Sequence, residues 1–163
     1  MSVGVIVPVF GTAPYLFETL ESVLGQDPPP DDVIVVDDAS PDPVTLDPLH
    51  APRCRLVRRE RRGGPGAARD SALALLTTEL VACADADDVW LAGKLAAQLR
   101  ALTRHPDVAL CFGAAEIVGA DGVPTGERWE TLPSGELSPQ LLAPLLFERN
   151  PIPTSSVVVR RQA

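Results

Sequence analysis

The sequence predicts an α/β fold, a mostly parallel sheet flanked by helices. Three observations carry that expectation. Val3 to Val9, Val33 to Val36 and Leu80 to Ala84 are short apolar runs, rich in β-branched residues, as strands buried on both faces require. Segments with apolar residues at helical spacing separate them. Strand and helix patterns therefore alternate, the signature of βαβ units in a doubly wound sheet.

Each element has its own local logic. After the first strand, Gly11-Thr12 reads as a turn, with Thr12 as helix cap and Pro14 in the first helical turn. Leu16, Leu20, Val23 and Leu24 form one apolar stripe, and Gly25 marks the stop. Arg55 to Val57 fits a short third strand. Gly63-Gly64-Pro65-Gly66 opens a helix that presents Ala68, Ala72, Leu75 and Leu76 on one side. Leu91, Leu95, Leu99 and Leu102 repeat at helical spacing until His105-Pro106, and Val108 to Phe112 is a further strand. Beyond Gly113 the pattern weakens. Gly119 to Gly122 reads as a hairpin turn, residues 123 to 135 as loop, Leu137 to Phe147 as a short helix and Val157 to Val159 as a last strand.

Composition narrows the function. The 163 residues suffice for one domain with a substantial core. The formal charge of -8 argues against nucleic acid as a partner. An acidic chain that handles phosphates needs a cation to help. Cys54, Cys83 and Cys111 lack zinc-ligand spacing, and the last two read as reduced core residues, which suits a cytoplasmic setting. No signal peptide is expected from Met1-Ser2-Val3-Gly4, and no apolar run approaches the ~20 residues of a membrane span.

In open α/β sheets, ligands bind beyond the carboxyl ends of the strands. Here those ends carry Pro8-Val9-Phe10, Asp37-Asp38, the turn Gly63-Gly64 and Asp85-Ala86-Asp87-Asp88. Two acidic strand ends on one edge point to one crevice. Carboxylates one residue apart can share a hard cation, Mn²⁺ or Mg²⁺, which prefers oxygen ligands and bridges to phosphates. The plain structural alternatives are a turn begun by Asp37-Asp38 with Ser40 and a helix cap at Asp88. Arg58, Arg59, Arg61 and Arg62 read as a solvated loop, and Arg69 stands between a solvated and a ligand-facing role. His50 and His105 read as surface residues. Trp90 is expected to pack under the acidic run, while Trp129 sits in a polar loop that could meet a sugar. Neither G-x-G-x-x-G after the first strand nor a Walker A pattern is present.

Taken in order, Val5-Ile6-Val7-Pro8-Val9-Phe10, Leu20 to Gln26, Val35-Val36-Asp37-Asp38-Ala39-Ser40, Gly63 to Arg69 and Asp85-Ala86-Asp87-Asp88 resemble the family 2 glycosyltransferases of the GT-A fold. The resemblance implies a single GT-A domain over 1–163, with 1–112 holding the nucleotide-sugar and 113–163 beginning the acceptor side. It also implies inverting, metal-assisted transfer from a nucleotide-diphosphate sugar, expected to be a UDP-sugar, to a glycan, lipid or protein. Placement in the cytoplasm, at the inner membrane surface through peripheral association, goes with it. Residue by residue, Pro8 and Phe10 would line the nucleobase pocket, with Val9 also in the nucleotide-binding set. Asp38 would hydrogen-bond the base with Asp37 beside it, and Gly64 and Arg69 would lie near the nucleotide. Asp85 would lie by the ribose and the metal, Ala86 would belong to the nucleotide-binding set, and Asp87 would be the direct metal ligand.

The chain departs from the family pattern at Gly11 and Asp70, where Asn is usual. The Glu-Asp-type base motif expected downstream of Pro153 to Arg161 is not in the sequence. The catalytic base is therefore unassigned: Glu116, Asp121, Glu127 and Glu130 do not match it. The expectation is a chain truncated before that motif or a naturally short relative. Two other readings stand beside transfer. One is a nucleotide-sugar-binding module without turnover. The other is a receiver-like metal-binding regulator, although a receiver would carry acid where this chain has Pro8.

Overall fold

A computed structural model describes residues 1–129, 132, 135–148 and 150–162. Its main sheet has six strands in the order β3-β2-β1-β4-β8-β5. The strands are β1 (Val3–Val9), β2 (Asp32–Asp37), β3 (Arg55–Arg58), β4 (Leu80–Cys83), β5 (Leu110–Cys111) and β8 (Val158–Arg160). β1 pairs parallel with both β2 and β4, and β2 pairs parallel with β3. A separate antiparallel hairpin joins β6 (Glu116–Val118) to β7 (Pro124–Arg128).

The two faces of the sheet follow from the two-residue period of a strand. Val3, Val5, Val7 and Val9 face one way with Val33, Val35, Leu80 and Ala82. They pack against α1 (Leu16–Leu24) and α3 (Lys94–Arg104) through Leu16, Leu20, Val23, Leu95 and Leu102. Ile6, Ile34, Val36 and Val81 face the other way, onto Ala68, Ala72 and Leu76 of the α2 (Gly64–Leu73) side. Gly4 lets that second layer close: a Cβ there would lie 2.5 Å from Leu76 Cδ2.

Several local expectations are corrected. α1 begins at Leu16 behind Tyr15 and has no side-chain cap, so Thr12 and Pro14 lie in the preceding turn. α2 already starts at Gly64 and ends at Leu73, which leaves Leu75 beyond the helix and exposed. α3 starts only after Gly93, whose left-handed φ of 79° breaks the backbone, so Leu91 stays outside the helix and 77% exposed. Asp88 does not cap that helix. Residues 124–128, read as loop, are the exposed strand β7.

The last part of the described chain holds α4 (Pro139–Glu148), a short 3-10 turn at Thr154–Ser156, and β8. β8 runs antiparallel between β4 and β5, so the sheet is mixed on that side and β5 does not neighbour β4. Arg160 fastens it there, donating to the carbonyls of Leu102 at 2.8 Å and Val108 at 2.9 Å. Cys54 is the buried cysteine, while Cys83 and Cys111 are half-buried; all three are free thiols. His50, expected at the surface, is buried and packs edge-on against Phe17 at 4.8 Å between ring centroids. The loop before β3 reaches α1, where Arg53 donates to the Leu24 carbonyl at 2.9 Å. No helix among the described residues is long and apolar enough to cross a membrane.

Candidate donor pocket

A pocket of about 500 Å³ opens at the carboxyl ends of β1, β2 and β4. Parallel strands deliver their ends to the same edge: the register ends with Asp37 opposite Val9 and Cys83 opposite Ile6, which leaves Asp38 and Asp85 just beyond the paired residues on that edge. The Asp38 amide donates to Val9 O at 2.9 Å, and the Ala84 amide to Ile6 O at 3.0 Å, which carries the pairing up to the rim. Pro8, Val9, Phe10, Asp38, Gly64, Arg69, Asp85, Ala86 and Asp87 all line this pocket. Of the residues expected at the site, Asp37 is the one set behind it.

Asp37 and Asp38 are buried, at 1% and 3% exposure, and both are saturated with donors. Asp37 accepts from the amides of Ser40 at 2.8 Å and Val44 at 3.2 Å, and from Arg58. Asp38 accepts from the amides of Gly63 at 3.0 Å and Gly64 at 2.6 Å, and from Arg59. Burial opposes charge on both. For Asp37 the bonds from Ser40, Val44 and Arg58 outweigh it, and for Asp38 those from Gly63, Arg59 and Gly64, so both carboxyls sit below their ordinary value. The turn that Asp38 grips needs glycine, because Gly64 has a φ of +84° and lies open to the pocket. Ala39, between Asp38 and Ser40, holds a strained φ of 58°.

The acidic run is built differently. Asp85 is half-exposed and pairs with Arg69 at 2.5 Å, while Asp87 is exposed. Ser155 Oγ accepts from the Asp85 amide at 2.8 Å and donates to Asp88. Burial, and then the charges of Asp87 and Asp85, push the Asp88 carboxyl above its ordinary value against that Ser155 bond. Ser155 lies 70 residues from Asp85 in sequence, and nothing local marks it as a partner of the run. Trp90 packs below as expected, 5% exposed, with Lys94 Nζ 3.7 Å above its ring.

The arginine loop is not simply solvated. Arg58 and Arg59 hold Asp37 and Asp38, and Arg62 lies over the Phe10 ring at 3.8 Å and lines the pocket. Arg69 has a buried Nε with no hydrogen-bond partner among the described residues. Two pocket carboxylates, Asp85 and Asp87, are oxygen donors of the kind a hard divalent cation prefers, and they would hold one there. Among the described residues, no cluster of three or more His, Cys, Asp or Glu is arranged to hold a metal by itself. Glu116, Asp121 and Glu127 are on the hairpin segment and do not line the pocket; Glu130 lies outside the described residues.

The chain belongs to glycosyl transferase family 2, whose pattern it matches over residues 4–152. It is 34% identical over 127 residues to TuaG of Bacillus subtilis, named for teichuronic acid biosynthesis; the match covers 75% of this chain and 50% of that protein. It is 27% identical over 123 residues to WfgD of Escherichia coli, a UDP-Glc:alpha-D-GlcNAc-diphosphoundecaprenol beta-1,3-glucosyltransferase, covering 74% of this chain and 48% of that one. The chain thus spans half or less of the length of these relatives. Two solved structures share the fold. S. aureus TarS 1-349 in complex with UDP aligns with a TM-score of 0.70 at 23% identity, over 99% of this chain and 47% of that one. The mannosyltransferase PcManGT of Pyrobaculum calidifontis, in complex with GDP-Man and Mn²⁺, aligns with a TM-score of 0.57 at 35% identity, over 66% of this chain and 34% of that one. The GT-A fold and the family expected from the motifs therefore stand, and the receiver-like reading falls away.

Proposed function

We propose that this chain binds a nucleotide-diphosphate sugar, a UDP-sugar in the first instance, with Mn²⁺ or Mg²⁺, as the donor half of an inverting glycosyl transfer. The observation that carries the proposal is the convergence of Phe10, Asp38, Gly64, Arg69, Asp85 and Asp87 on one pocket. The names of similar proteins support it: PcManGT is in complex with GDP-Man and Mn²⁺, and WfgD uses UDP-Glc.

In this reading Phe10 and Pro8 provide the apolar wall for the base. Asp38 shapes the base end of the pocket by gripping the Gly63-Gly64 turn, and any bond it makes to the base adds to that. Arg69, which lines the pocket, faces the diphosphate once it shares or releases Asp85. Asp87 and Asp85 hold the cation, which supplies charge neutralisation to the departing diphosphate. Residues 1–112 form the donor side and 113–163 begin the acceptor side. The acceptor is a glycan, lipid or protein hydroxyl. A cytoplasmic site at the inner membrane surface is the placement we propose, drawn from the lipid-linked acceptor in the WfgD name.

Calorimetry of UDP and GDP with and without Mn²⁺ tests the reading, with donor hydrolysis measured alongside. Metal-dependent binding is the expected result. No binding of either diphosphate, with or without metal, overturns it. Binding without any release of sugar favours a donor-binding module over an enzyme.

A further inference from the structure

We propose that Arg62 is a nucleotide-responsive residue: it covers the Phe10 ring in the free protein and pairs with the donor's diphosphate once a nucleobase takes that ring. The inference rests on the donor-pocket reading above. Three features lead to it. Arg62 Cζ stands 3.8 Å from the Phe10 ring centroid, and both side chains line the pocket, so the guanidinium occupies ring surface that a stacked base needs. Arg58 and Arg59 on the same loop are committed to Asp37 and Asp38. Arg62 differs: among the described residues no carboxylate lies within ion-pair distance of it.

The charge arrangement says where Arg62 goes next. The pocket holds three carboxylates, Asp38, Asp85 and Asp87, and two cations, Arg62 and Arg69. Arg69 is already paired with Asp85. An entering diphosphate adds negative charge to a wall short of free cations. The displaced guanidinium is permanently charged, sits on a long flexible stem and has a fork of N–H donors that matches phosphate oxygens. Base and guanidinium thus compete for Phe10, while phosphate and guanidinium attract.

The two contributions have opposite signs, which makes the inference testable. Uridine and UDP with Mn²⁺ are titrated into the wild type, Arg62→Ala and Arg62→Lys, by ligand-observed NMR and calorimetry. In Arg62→Ala, uridine should bind about two- to five-fold more tightly, the equivalent of losing an exposed cation–π competitor. The ratio of UDP to uridine affinity should fall about five-fold or more, through loss of the charge-assisted phosphate contact. Arg62→Lys keeps the charge and should recover most of the UDP affinity. Uridine affinity that is unchanged or lowered in Arg62→Ala overturns the competition, and an unchanged ratio of UDP to uridine affinity overturns the phosphate contact. A wild type that binds neither ligand instead defeats the donor-pocket reading itself, so the two failures are distinct.

Discussion

Asp37-Asp38 and Asp85-Ala86-Asp87 look alike as sequence, each an acidic cluster following a buried strand, yet the fold uses them in opposite ways. The first pair is buried and each carboxylate is satisfied by backbone amides and an arginine. The second cluster is half-exposed to exposed, and Asp87 faces the pocket. A carboxylate whose lone pairs are filled by the protein is an anchor. One left to solvent beside other acids is free to take a cation. The local position of an acid therefore tells where a site is, and its partners tell what it does there.

The comparison can be broken most sharply at Asp37. Asp37→Ala leaves the Ser40 and Val44 amides without their acceptor in a buried place. It should destabilise the protein by about 2–3 kcal/mol in urea unfolding; Arg58 contributes little of this, being 42% exposed. A loss within experimental error would show that the anchor is not one. Acid should come next. The folded-state values of Asp37 and Asp38 lie below 3.8, so their stabilisation is complete above that ordinary value and is lost as pH falls through the lowered ones. The urea midpoint should fall on acidification, and fall less in an Asp37→Asn, Asp38→Asn double variant. Equal slopes would refute the assignment.

Ser155→Ala is a smaller intervention, on the other cluster. It removes the acceptor of the Asp85 amide and the donor to Asp88, at a cost of about 1 kcal/mol, and it should weaken metal-dependent UDP binding by loosening the run. Asp87→Asn should have the least effect on folding, within about 0.5 kcal/mol, because its carboxylate is exposed. It should nonetheless abolish the Mn²⁺-dependent part of UDP binding. Unchanged UDP affinity with Mn²⁺ would remove Asp87 from the metal site.

Much of the framework was legible. β1, β2 and β4 are continuous apolar runs, and a strand buried on both faces can hardly be written otherwise. The pocket residues follow because they come immediately after those runs. What was not legible depended on contacts distant in sequence. β8 is three residues long, and nothing in Val158 to Arg160 says that it slots antiparallel between β4 and β5. The arginines 58, 59 and 62 read as solvated because exposure is their usual state; their partners are over 20 residues away or across the pocket. His50 read as surface because it lies near prolines, though the loop carries it onto Phe17. Leu91 fitted a helical stripe, but periodicity cannot register the break that Gly93 makes.

The sequence by itself determined the layered α/β core, the edge of the sheet where ligand-facing residues collect and the family. These rest on local patterns: hydrophobic period, strand-end position and ordered motifs. Only the tertiary structure decided which acids are anchors and which are open, that Ser155 holds the acidic run and that Arg62 stands on Phe10. Those facts depend on which groups remain unpaired after distant segments have packed, and pairing of that kind is settled by three-dimensional proximity.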